Sequence, residues 1–139
     1  MTYRFLPDVA LADIAFEAES GSAGGLFEEC ALAITDIMVD PVTLRSTVER
    51  KFALEAPDLD RLLYDFLTEL IVVKDVDSLL FGKFEVELMP DLPSLKVLAK
   101  GEPIDRERHR LRNDVKAVTM HLFGIKHDSK WRTTVVLDI

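Results

Sequence analysis

One cysteine in 139 residues leaves no partner for an internal disulfide. That residue, Cys30, lies among Leu26, Phe27, Ala31 and Ile34, a setting in which a thiol packs as a small apolar group rather than serving redox chemistry. No stretch reaches the roughly 18 consecutive apolar residues of a membrane span. The start, MTYRFLPDVA, has no apolar signal core, so a cytoplasmic protein without membrane attachment is expected. Basic residues are the minority: 17 Lys and Arg face 25 Asp and Glu, a net charge of −8. That balance argues against a strong direct grip on nucleic acid, which is made by clustered Lys and Arg, and favours cations and basic partners. A Gly-rich phosphate loop, a Cys cluster, an HExxH motif and a nucleophile motif are all missing, so the sequence does not read as an enzyme. Internal repeats and low-complexity tracts are missing too, and with 48% apolar residues the chain has the size and composition of one domain, residues 1–139, around one core.

What is present is a change of periodicity along the chain. In ADIAFEA, Ile14, Phe16 and Ala18 alternate with Asp13, Ala15 and Glu17, the signature of a half-buried strand with Asp13 on its polar face. SGSAGG reads as a loop. After it Leu26, Phe27, Cys30, Ala31, Ile34, Ile37 and Met38 recur at helical spacing, and the helix stops at MVDP, where Pro41 disfavours a helical Asp40. RKFALEA is a second strand. Pro57 and Asp58 then open a second helix with the stripe Leu59, Leu62, Leu63, Phe66, Leu67, Leu70 and Ile71, closing near Lys74. KFEVELM, SLKVLAKG, VKAVTMHLFGI and KWRTTVVLDI read as four further strands. Strands and helices segregated in this way favour an α+β fold, two amphipathic helices covered by mostly antiparallel sheet.

The last of these runs places Trp131, Thr133, Val135 and Leu137 on one face and Arg132, Thr134, Val136 and Asp138 on the other. Were Asp13 near Asp138, with the terminal oxygens of Ile139 beside them, uncompensated anions would crowd together and call for protons or a cation. Hard divalent cations accept such oxygens. Simple solvation of the terminal acids is the plainer reading of the pattern, and the residues alone leave the cation site open beside it.

ADIAF, the helix ending ALAITDIMVDP, DLDRLLYDFLTELI, KFEVEL, KGEPIDRERHRLRNDVKAVTMH and the final VVLDI, in that order over essentially the whole chain, closely resemble the archease family. The resemblance implies a β/α/β sandwich. It further implies a small non-enzymatic partner of an RtcB-type RNA ligase, the GTP-dependent enzyme that joins tRNA exons, promoting ligase guanylylation and turnover in tRNA splicing. A chaperone-like effect on a tRNA methyltransferase is the alternative that the family offers. Residue by residue, the resemblance implies metal ligands at Asp13, Asp138 and Ile139, with Ca²⁺ the first choice and Mg²⁺ or Mn²⁺ the others. The family's DHTAD is VALAD here, with Val9, Ala10 and Leu11 in place of Asp, His and Thr and Asp8 displaced by one.

Three further residues are candidates for lining the same site: His121, where Met120 replaces the family's tyrosine, Glu102 and Asp40. Each has a structural alternative. His121 is a lone strand histidine, Asp40 caps or ends the first helix, and Glu102 belongs to GEPIDRERH, where Asp105 and His109 are spaced for a capped turn. Two aspartates with a metal also suit hydrolysis of a substrate, a rival function of another class.

Overall fold

Ser22 is the switch from strand to helix: its backbone is extended and its Oγ accepts from Gly25 N at 3.0 Å, supplying one of the partners a helix start lacks. The helix it starts, α1 (Ala23–Met38), therefore includes the AGG of the run expected to be loop. In the computed structural model, which describes residues 2–6 and 13–139, no residue of α1 is exposed. It is the centre of the molecule. Two sheets enclose it together with α2 (Leu59–Asp77), whose start is capped by Asp58 Oδ1 accepting from Arg61 N at 2.8 Å and whose end turns through left-handed Ser78, φ 54°.

The first sheet has five antiparallel strands. Strand β1 (Thr2–Leu6), which the sequence pattern did not reveal, pairs with β2 (Asp13–Ser20). β2 pairs with β8 (Trp131–Asp138), and along the other side of β8 lie β6 (Ala117–Val118) and β7 (Gly124–His127), end to end. The single strand expected over VKAVTMHLFGI is thus two short ones. The turn between them has Leu122 at φ 57° and no glycine or proline to announce it. The second sheet orders β3 (Val48–Glu55), β5 (Ser94–Pro103) and β4 (Leu79–Met89), again antiparallel.

Contacts of α1 with β2 and β8 on one side and β4 on the other, and of α2 with β6 and β7 and with β3, β4 and β5, make a β/α/β sandwich in one α+β domain. Its interior is threaded by phenylalanines: Phe27 stacks on Phe66 at 6.2 Å, Phe66 meets Phe84 edge-on at 6.4 Å, and Phe81 and Phe52 continue the row into the second sheet. Burying each ring contributes about 2–3 kcal/mol, with up to about 1 more per aromatic pair. Gly101 on β5 lies where β4 bulges between Phe81 and Lys83, and a Cβ there would stand 1.8 Å from the Leu80 carbonyl oxygen. Only glycine fits. Among the described residues no helix is long and apolar enough to cross a membrane.

Candidate metal centre

The register of β2 and β8 sets Asp13 directly opposite Asp138. Directly opposed residues of an antiparallel pair point to the same face with Cβ atoms about 5 Å apart, so the two carboxylates share one patch of the sheet's outer surface. Both residues are half-buried. The row beneath them, Ala15 against Val136, is fully buried even though it too faces outward. On the far side of β8 Ala117 completes the row, and Lys116 N donates to the Asp138 carbonyl at 2.8 Å. Ile139 packs its side chain against the core, which fixes its backbone beside the two acids. Like charges set opposite each other across a ladder are unfavourable, and a divalent cation with oxygen ligands removes that repulsion. Among the described residues no Lys or Arg forms an ion pair with either carboxylate.

The three candidate lining residues are not gathered with this pair. Glu102 lies on β5 in the other sheet, its side chain 6% exposed and fully engaged. Arg108 clamps one of its oxygens, while the other accepts from Arg45 N at 2.8 Å and lies 2.6 Å from His109 Nε2. Asp105 N donates to His109 Nδ1 at 2.9 Å, so the ring proton sits on Nε2 and is given to Glu102. Chiefly through the Arg108 hydrogen bond, and against the cost of burial, this clamp pulls the Glu102 carboxyl down to about 2. Asp40 caps the 3-10 turn Pro41–Thr43 through Val42 N and stands 3.8 Å from Arg110 and 4.0 Å from Arg112. His121 is exposed in the turn after β6, its N–H bonded to Thr119 Oγ1. Among the described residues no three His, Cys, Asp or Glu side chains converge as a metal cluster, so a cation between Asp13 and Asp138 would draw further ligands from the oxygens of Ile139 or from water.

The sequence profile of the archease protein family (MTH1598/TM1083) matches residues 3–139. The chain belongs to the archease family. Protein archease of Pyrococcus abyssi is 36% identical over 132 residues, covering 92% of this chain and 93% of its own length. That of Methanosarcina mazei is 36% identical over 141 residues, covering 99% and 95%. The solution structure of Methanobacterium thermoautotrophicum protein 1598 superimposes with a TM-score of 0.84 at 35% identity, covering 99% of this chain and 98% of that one. The residues by which this archease departs from the family's DHTAD, Val9, Ala10 and Leu11, lie outside the described residues, as does Asp8.

Two features of this archease went unread in its sequence. One is the Glu102 clamp, whose partners Arg45, Arg108 and His109 come from two separate segments. The other is Lys74, 7% exposed, which donates to the Val115 carbonyl at 2.7 Å and to Asp114. Lys74 falls seven residues after Leu67 and four after Leu70, on the apolar stripe itself, and that spacing was the available signal.

Proposed function

We propose that this archease is a non-enzymatic, metal-binding activator of an RtcB-type RNA ligase in tRNA splicing. The observation that carries it is the β2–β8 register, which sets Asp13 against Asp138 with Ile139 next in line, in a chain of this family. Asp13, Asp138 and the oxygens of Ile139 hold the cation, Ca²⁺ before Mg²⁺ or Mn²⁺, which when bound supplies a fixed positive centre among hard oxygen ligands. The protein's part is to present that centre rigidly, since both aspartates lie on paired strands rather than on loops. Activation requires that the archease bind the reactive form of the ligase more tightly than the resting form, because equal affinity shifts nothing. The acidic balance of the chain, −8, suits a ligase surface made basic for RNA and GTP and raises the encounter rate.

The test is ligation of cleaved RNA by limiting cognate ligase, with and without this archease and with Asp138→Ala. Increased ligase guanylylation and turnover with the wild-type chain, lost in the variant, is expected. No increase with the wild-type chain would remove the activator function, and turnover of a substrate by the isolated chain would favour a hydrolase.

A further inference from the structure

We infer that the outer face of the three-stranded sheet docks on the same face of a second copy, making a weak two-fold dimer from which each Asp13–Asp138 pair faces outward. Both helices pack on the inner face of this sheet, where Phe52, Phe84, Leu95 and Val97 are buried. The outer face has no such cover. Lys51, Ala53, Glu85, Glu87 and Lys96 are exposed there, and among the described residues no element lies over them. Their side chains stand around a trough of about 470 Å³ that Leu98 also lines. At one end of the face Met89 and Leu92, 58% and 71% exposed, add two large apolar groups.

The charges on this face say what it meets. Lys51, Lys83, Lys96 and Lys100 are matched by Glu49, Glu55, Glu85 and Glu87, so the face is neutral on a chain of net charge −8 and does not repel its own copy. Among the described residues none of these eight forms an ion pair. On the outer face of the other sheet, by contrast, Arg4 pairs with Glu17, and Lys130 and Arg132 with Glu19. For four of the eight the register gives the reason: Lys51 and Glu85 flank Leu98, and Glu49 and Lys83 flank Lys100, two strand spacings or about 10 Å apart. A second copy brings them together. A two-fold axis along β5 lays β3 of one copy over β4 of the other, so Lys51 faces Glu85 of the second copy and Glu49 faces its Lys83, each twice, around Leu98 against Leu98. Lys96 and Lys100 lie on the axis and meet their own copies, which holds the affinity down. Two twisted sheets pack in this aligned way with strands crossing at about 30°. A phosphate backbone, or a protein surface of one sign, would meet as many repelling groups as attracting ones, whereas the same pattern turned over complements itself. Three strands of about eight residues bury about 800–1,000 Å² between two copies, the low end for a specific contact. The dimer is therefore concentration-dependent.

Sedimentation equilibrium of the full chain from about 1 μM to about 1 mM is the test, and a monomer–dimer equilibrium within that range is expected. Lys51→Glu and Glu85→Lys each set like charges face to face at two places and should weaken the dimer at least about tenfold. The double reversal restores the pairing and should return the affinity to within about threefold of wild type. Lys100→Gln, which removes a like-charge contact on the axis, should tighten the dimer, and Lys126→Glu on the other sheet should leave it unchanged. Thermal midpoints measured on dilute samples, expected to stay with wild type for these exposed substitutions, show that each variant folds. A wild-type chain that is monomeric up to about 1 mM, a dimer indifferent to the single reversals, or one that the double reversal fails to restore overturns the contact. An assembly that grows beyond two copies overturns the closed two-fold axis.

Discussion

Replacing Glu102 by alanine is the sharpest test of how the two sheets are held at their connecting loop. The carboxylate is the acceptor for His109 Nε2–H and for Arg45 N–H and the counter-ion of Arg108, and its removal leaves those donors facing an apolar gap. Arg108 is 31% exposed and regains water, so its loss is modest. The His109 side chain, fully buried, does not. Removing one partner of a buried ion pair costs about 3–5 kcal/mol, and each orphaned buried donor about 1–3 kcal/mol, so about 3–5 kcal/mol in all is expected because the terms overlap. For a chain of this length that lowers the thermal midpoint by about 10–15 °C. The acid side gives a second check. The carboxyl titrates at about 2 in the fold against an ordinary 4.5, so the unfolded chain binds the extra proton between these values. Its stabilisation is complete above pH 4.5 and is lost as pH falls through 2. Urea unfolding followed by circular dichroism should therefore show the gap between wild type and Glu102→Gln narrowing below about pH 4.5. A Glu102→Ala variant within 1 kcal/mol of wild type at pH 7, or a gap independent of pH, would refute the clamp.

Asp13→Ala and Asp138→Ala should each abolish the rise in thermal midpoint caused by Ca²⁺ while stabilising the metal-free protein by about 0.5 kcal/mol, the like-charge repulsion removed; calorimetric titration and thermal melts check both. Phe66→Ala, which breaks the aromatic row between the sheets, should cost about 3–5 kcal/mol in urea unfolding. Gly101→Ala, whose methyl would meet the Leu80 carbonyl, should destabilise by more than about 2 kcal/mol by the same measurement. The Tyr3 phenol, pushed up to about 12 by burial and by its 2.9 Å hydrogen bond to Asp36, should ionise late in a tyrosinate absorbance titration. Because the fold favours the protonated phenol, its contribution to stability is whole below pH 10 and fades as pH rises through 12.

Both helices were legible in the sequence because their stripes recur at three and four residues. The polar face of Asp13 and Asp138 was legible because strands alternate strictly. The start of α1 was not, since Ala23, Gly24 and Gly25 resemble a loop until Ser22 is seen to cap them. β1 was missed because an edge strand is solvated on much of its surface, and Thr2, Arg4 and Phe5 are all exposed. The break between β6 and β7 was invisible because Leu122 takes a conformation usually signalled by glycine or asparagine. That Asp13 lies opposite Asp138 was also beyond periodicity, which fixes the face of a strand and not its partner. Glu102 illustrates the converse: an acid in a family-like motif was a candidate for the site, and burial with three donors gives it a structural role.

Strand β8 has a consequence for how the chain reaches this fold. It borders β2 on one side and both β6 and β7 on the other, so every strand of its sheet except β1 awaits residues 131–138. During synthesis β1 and β2 leave the ribosome early and have no partner but each other until nearly the whole domain has followed them. A lone two-stranded ribbon is marginal in water, and closing so long a loop is slow. The alternation of β2 then serves a second end, since Asp13, Glu17 and Glu19 keep its waiting strand charged and discourage pairing with a neighbouring nascent chain.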